Sequence, residues 1–193
     1  MKFVYAIEGL DRLGKSSLIE DIINQQGFYQ VIHFGKPKVL QVYQDCGDPG
    51  SIKSERTDEE CLRYYQYYTF LNSMKIANSG ARVIFDRWHL GEAVYAPLYR
   101  GYPGDYVFDL EARYQVADKN LVRLILLVED FAISKHFISD GGSFDDSKRE
   151  AEQKMFIEAF NKSTIIDKRM ICVTDPVTGE FRSRHDVMKE ALA

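Results

Sequence analysis

Gly9-Leu10-Asp11-Arg12-Leu13-Gly14-Lys15-Ser16 is the stretch from which the rest of the chain can be read. It fits the pattern G-x4-G-K-[ST]. The apolar run Phe3-Val4-Tyr5-Ala6-Ile7 precedes it and reads as a buried strand. Ser17-Leu18-Ile19-Glu20-Asp21-Ile22-Ile23 follows, with apolar residues at helical spacing. Strand, glycine loop and helix in that order make a phosphate-binding loop. The backbone N–H groups of residues 9–17 converge on phosphate oxygens, and the helix N-terminus adds its partial positive charge. Lys15 brings a point charge to the outer phosphates, and the Ser16 hydroxyl is placed to ligate Mg²⁺.

Working outward, strands are expected at 2–7, 28–34, 81–86, 121–128 and 169–174. Most are short, apolar and rich in Val and Ile, as parallel strands buried on both faces should be. Helical periodicity is expected over 15–26, 57–78, 91–99, 107–118, 130–137, 147–162 and 182–192. The alternation predicts an α/β fold, a five-stranded doubly wound parallel sheet with helices on both faces and ligands at the strand C-termini. At 193 residues the chain is read as one domain spanning 1–193. Two stretches break the rhythm. Residues 35–56 carry Gly47, Pro49 and Gly50 and read as a long functional loop. Ser139–Ser147, SDGGSFDDS, reads as a lid at about 138–149.

Composition excludes several classes. The net charge of −4 gives no global basic field for nucleic acid. No apolar run approaches the ~20 residues that span a bilayer. Cys46, Cys61 and Cys172 are widely spaced, with no metal or disulfide pattern, and the chain enters its first strand with no signal peptide. A reduced, cytoplasmic setting is expected. His33, His89, His136 and His185 form no metal spacing and are read as non-catalytic.

Val83-Ile84-Phe85-Asp86-Arg87 carries the second signal. It places Asp86 at the C-terminal edge of the sheet, facing Mg²⁺ and the nucleotide, unless Asp86 serves only a structural ion pair. Arg87 beside it can bridge phosphate oxygens in bidentate fashion. Arg12, inside the loop, reaches the phosphates from the loop side and can act as an arginine finger in cis.

Glu8 through Ser17 resembles the phosphate loop of thymidylate kinases. Asp86-Arg87-Trp88, with Ala93-Val94-Tyr95 further on, resembles that family's Asp-Arg-aromatic motif and its following Tyr. The resemblance implies a three-layer P-loop kinase fold with a short lid and transfer of a phosphoryl group from ATP to a deoxynucleoside monophosphate. It implies that Lys15 and the backbone of 9–17 hold the ATP phosphates, that Ser16 binds Mg²⁺ and that Arg12 bridges donor and acceptor. It further implies Asp11 near the sugar 3′-hydroxyl, Arg87 near the acceptor phosphate and Tyr95 against the deoxyribose. Catalytic roles fall to Lys15, Arg12, Asp86 and Arg87. The lid stretch 139–147 has no Arg or Lys, so the chain looks like the type with a loop arginine.

The chain also departs from the family. Phe34-Gly35-Lys36-Pro37-Lys38 stands where Arg-Glu-Pro is usual, so Lys36 would neutralise the acceptor phosphate as a point charge. Arg63, Gln66 and Phe70 share a helical face. Gln66 is suited to a base edge and Phe70 to stacking on the base, which resembles the Gln of deoxynucleoside kinases; an ordinary surface amide is the other reading of Gln66. Tyr64, Tyr67, Tyr68, Leu71 and Met74 form another stripe, expected to pack in the core or, by family analogy, in a homodimer interface.

Three functions compete. A monophosphate kinase is favoured, acting on dTMP or a broader set of deoxynucleoside monophosphates. A deoxynucleoside kinase would need a base for the 5′-hydroxyl, and Lys36 stands where that group places Glu. A guanine-nucleotide switch lacks its base-reading motif, since Asp118-Lys119-Asn120 has neither the order nor the final Asp.

Overall fold

The computed structural model describes residues 4–35, 58–114, 116, 121–134 and 146–193. Its centre is a five-stranded parallel sheet in the order β2-β3-β1-β4-β5. The strands are β1 (Val4–Gly9), β2 (Gln30–His33), β3 (Val83–Asp86), β4 (Val122–Val128) and β5 (Asp167–Cys172). The helices are α1 (Lys15–Gln26), α2 (Asp58–Ala77), α3 (His89–Tyr95), α4 (Tyr106–Arg113), α5 (Arg149–Lys162) and α6 (Arg184–Leu192). β1 and β4 are buried at every position, which is what the unbroken apolar runs require.

Right-handed crossovers decide the layers. The connection from β1 to β2 runs one way along the sheet, and those from β2 to β3, β3 to β4 and β4 to β5 run the other. α1 therefore covers one face, where it meets α6, and α2 to α5 cover the opposite face. The order of connections reverses beside β1, so the loop that follows β1 opens at the topological switch point.

Three expected helices differ in extent. The segment 91–99 is α3 followed by a π turn, Ala96–Arg100. Pro97 lacks the N–H that an α-helical ladder needs there, and the turn widens. The widened turn brings Arg100 onto the buried carboxylate of Glu92, which also accepts from the hydroxyls of Tyr102 at 3.0 Å and Tyr106 at 2.8 Å. The expected helix 107–118 is α4, which ends at Arg113. The expected helix at 130–137 is corrected over 130–134, which form a turn: Asp130 O accepts from Ser134 N at 2.8 Å, and its carboxylate accepts from Ala132 N at 3.0 Å. An Asp side chain that bonds its own following backbone competes with helix propagation. Residues 135–137 lie outside the described residues, as do 36–57 and 135–145, so Lys36, Cys46, most of the long loop and the glycines of the lid receive no structural account. The aromatic stripe of α2 divides. Met74 is in the core and Tyr67 and Leu71 pack against it, whereas Tyr64 and Tyr68 are exposed.

Polar contacts to one buried carboxylate, Glu111, fix the helical layer under the site. His89 is wholly buried and its Nε2 lies 2.8 Å from Glu111 Oε2. Ser163 Oγ donates to the same oxygen at 2.8 Å, and Thr164 donates its N–H and hydroxyl to the other. Burial alone would raise the Glu111 carboxyl. The hydrogen bond and charge of His89, with the bonds from Thr164 and Ser163, outweigh it and lower the carboxyl from 4.5 to about 2. A carboxylate held low stabilises the fold above its unfolded value and loses that contribution as pH falls toward its folded value. The stability difference between wild type and Glu111→Gln is therefore expected to shrink between about pH 4.5 and pH 2, read from denaturation midpoints across that range. A constant difference would count against the clamp.

At the end of β1, Gly9 has φ 128° and its Cα faces Leu127 O of β4; a Cβ there would stand 2.4 Å from that oxygen. No L side chain fits either the conformation or the space. Gly9→Ala is expected to lower stability by roughly 2 kcal/mol or more, seen as a reduced urea midpoint at unchanged slope.

Candidate functional site

The site is built where β1 and β3 end side by side, paired in parallel from Val4 with Val83 to Ile7 with Asp86. Leu10 and Leu13 are buried and peg the loop between β1 and α1 to the core, so only their backbone is available to a ligand. Gly14, with φ 82°, turns the chain into α1, whose first turn holds no acidic residue. The N-terminal partial charge of α1 is left for an anion. Ser16 is exposed and Ser17 half-buried at that terminus.

Lys15 lies across the loop. Its side chain is 6 % exposed and Nζ donates to Gly9 O at 3.1 Å and to Leu10 O. Burial first, and the Arg87 charge second, lower the Lys15 ammonium to about 8, against the opposing pull of Asp11, Asp86 and Glu8. Asp11 Oδ1 stands 3.8 Å from Lys15 Nζ and pairs directly with Arg87 Nη2. The structure thus brings together Asp11, Lys15, Asp86 and Arg87, four of the residues singled out in the sequence.

Arg12 at φ 67° and Arg87 at φ 62° are the non-glycine residues in the left-handed region among the described residues. Each costs of order 1 kcal/mol or more, and such residues persist where their surroundings over-determine them. For Arg87 the surroundings are explicit. Arg87 N donates to Ile7 O at 2.9 Å. Glu8 of β1 then accepts from Trp88 N and Leu90 N, both at 2.9 Å, and Trp88 Nε1 donates to Ser73 Oγ at 2.7 Å. Glu8 is wholly buried, and burial pushes its carboxyl up despite those backbone bonds and the nearby His89. It serves α3 as an N-cap supplied from another strand, since Trp88 makes no side-chain cap of its own.

The side of the site toward β2 is less uniform. Asp86 Oδ2 is 2.8 Å from His33 Nδ1, its neighbour in the β2–β3 register. His33, read as non-catalytic from its lack of metal spacing, therefore sits at the site; its place opposite Asp86 at a parallel strand end was the available signal. The ring lies over Gly35, where a Cβ would come within 3.1 Å of Nε2. Tyr95 is half-buried, with its ring edge-on to Phe156 at 5.5 Å, and burial, then Glu152, push its hydroxyl up. Phe70 is in the core, stacked on Phe34 at 5.3 Å, and Phe34 in turn meets Phe85 edge-on. One ring face of Phe70 is thereby taken. Gln66 is 6 % exposed rather than a surface amide, Arg63 on the same helix is exposed, and none of the described residues hydrogen-bonds to the Gln66 amide.

Sequence reasoning gave Arg149 no role beyond its place after the lid. It is 7 % exposed, its Nε donates to Glu129 Oε1 at 2.6 Å and its Nη2 to Asp11 O at 2.9 Å. A buried cation at the start of α5 thus reaches the phosphate loop itself.

For Mg²⁺, the Ser16 hydroxyl and the Asp86 carboxylate are two oxygen donors of this site. One hydroxyl and one carboxylate fit a cation that completes its shell with phosphate oxygens and water. No helix among the described residues is long and apolar enough to cross a membrane.

No protein-family model and no curated protein sequence matches the chain. Solved structures do. The YorR protein of Bacillus subtilis, in complex with phosphorylated GDP, is similar with a TM-score of 0.62 at 16 % identity, over 98 % of this chain and 93 % of that one. Thymidylate kinase from Candida albicans is similar with a TM-score of 0.56 at 14 % identity, over 99 % and 89 %. Deoxyadenosine kinase from M. mycoides with bound dATP is similar with a TM-score of 0.50 at 20 % identity, over 98 % and 100 %. The chain shares the α/β fold of these structures, two of which are kinases.

Proposed function

We propose that this protein transfers the γ-phosphoryl group of ATP to a deoxynucleoside monophosphate, dTMP or a broader set. The observation that carries the reading is the cationic cluster at the ends of β1 and β3. Lys15 and the paired Arg87 meet the loop that carries Arg12, and both arginines are held in a conformation that costs energy. Two phosphorylated substrates brought together repel, and closely set cations offset that charge as it redistributes in the transition state.

In this reading an oxygen of the acceptor phosphate attacks the γ-phosphorus while the bond to the β–γ bridging oxygen breaks. ADP and the deoxynucleoside diphosphate leave. Lys15 and the backbone of 9–17 hold the donor phosphates, Arg12 spans donor and acceptor, and Arg87 holds the acceptor phosphate; neutralising that phosphate is the role this reading gives Lys36. Asp11 both orients Arg87 and faces the sugar, with Tyr95 against the deoxyribose. Ser16 and Asp86 would hold Mg²⁺, which neutralises charge on the β- and γ-oxygens when bound. Gln66 reads the base edge. Its amide is hydrogen-bonded by none of the described residues, and a base edge would supply both a donor and an acceptor to it. Phe70 backs that pocket with the ring face left by Phe34. The assignment to nucleotides, the cytoplasmic setting and a homodimer all belong to this reading.

A second reading is favoured by the pair His33–Asp86. A free 5′-hydroxyl needs a proton acceptor, and an imidazole bonded to a carboxylate is of the right kind. A coupled ADP-release assay with thymidine and with dTMP, dCMP, dGMP and dAMP separates the two. Turnover of monophosphates and not of thymidine is expected; the reverse would overturn the first reading. In the same panel Gln66→Ala is expected to reorder the four monophosphates, and an unchanged order would remove Gln66 from base selection. Arg12→Ala is expected to lower kcat by ~10³-fold or more with a smaller effect on KM. A loss below tenfold would mean that another cation serves the transition state.

A further inference from the structure

Arg149 is the first residue of α5, at the end of the stretch read as a lid, yet its guanidinium is buried in the body of the protein. Glu129, which follows β4, holds it from one side. That carboxylate is itself fixed, since its other oxygen accepts from Ser134 Oγ at 3.0 Å. Gln153, one turn further along α5, closes a ring of two hydrogen bonds, both 2.8 Å, with the backbone N–H and C=O of Glu129. The end of β4 and the start of α5 thus form one rigid unit. From that unit Arg149 reaches the loop, Nη2 to Asp11 O.

Asp11 O belongs to the peptide that enters Arg12, the strained residue of the loop. None of the described peptides is cis, so this one is trans, and its C=O and N–H point in opposite directions. Drawing the Asp11 carbonyl toward Arg149 turns the Arg12 N–H to the other side. It also fixes one of the two torsions that hold Arg12 at φ 67°.

We propose that Arg149 is a positioning residue for the phosphate loop. It holds the Asp11–Arg12 peptide so that the Arg12 N–H faces the phosphate cradle and the Arg12 side chain leaves the loop toward the transferred group. This rests on the reading of residues 9–17 as a nucleotide phosphate site. It differs from a direct role for Arg149 on the phosphates: here the guanidinium contacts a carbonyl and a carboxylate, and acts through the loop.

The two roles separate by ligand. A loop held in shape serves the β-phosphate, which ADP and ATP share. A cation on the outer phosphate serves the triphosphate alone. Arg149→Met combined with Glu129→Gln removes both charges together and strands neither in the interior. Isothermal titration calorimetry with Mg²⁺ then compares ADP with a non-hydrolysable ATP analogue. Both dissociation constants are expected to rise by about tenfold or more and by similar factors. A loss confined to the triphosphate would overturn the proposal in favour of direct contact. Unchanged affinities with only a lower melting temperature would overturn it in favour of a purely structural pair. Should the double variant not fold, Glu129→Gln alone, which loosens the clamp and keeps the arginine, should raise both constants by a smaller common factor; no rise overturns the proposal. A wild type that binds neither nucleotide overturns the nucleotide reading and this inference with it. That result is distinct from failure of the inference alone, in which the wild type binds and the variants bind equally well.

Discussion

A carboxylate with no access to water ties this site together. Glu8 is the penultimate residue of β1, and one of its oxygens accepts the backbone N–H groups of Trp88 and Leu90 at the head of α3. Without that oxygen, two donors at the head of α3 would be left buried beside Trp88, at a cost of about 1–3 kcal/mol each. The same bonds fix the direction in which the chain leaves β3, and so fix Arg87. The phosphate loop begins one residue after Glu8 and the Asp-Arg step ends one residue before Trp88. One acid therefore sets the relative position of both halves of the site.

Strain and charge are concentrated around that joint. Arg12 and Arg87 occupy a backbone region that L side chains avoid, and Lys15 is buried with its ammonium destabilised. The surrounding scaffold is largely apolar, from β1 and β4 to the aromatic file Phe70–Phe34–Phe85–Trp88. Such a core can hold unfavourable groups in place, and an anionic ligand would relieve them. This is the arrangement expected of a preorganised electrostatic site, in which the protein rather than the ligand bears the cost of assembling like charges.

Much of this was legible in the chain. The loop motif marked the junction of strand and helix, with Gly9 ending β1 and Lys15 and Ser16 opening α1, and the apolar runs located all five strands within a few residues. Asp86 fell at a strand end, as its pattern required. What escaped the sequence were pairings between distant segments. His33 has no motif, and only the register of β2 on β3 brings it to Asp86. Arg149 lies far from the loop in sequence and reaches it through the packing of α5. The helix expected after β4 failed at its first turn because Asp130 spends its side chain on its own backbone. Phe70 has the right periodicity for a ligand face, but Phe34 already fills one side of it.

The bond between Arg149 and Asp11 joins residues 138 positions apart. During synthesis at ~5–20 residues per second the phosphate loop is complete many seconds before α5 leaves the ribosome. A nascent chain therefore carries the loop sequence long before it carries the prong that fixes the loop's peptide. Contacts of such range form late, because closing the intervening chain costs entropy before anything is gained. The strained conformation of Arg12 is in this sense an end-point property: it waits for the last third of the molecule, and the loop matures only as the fold closes.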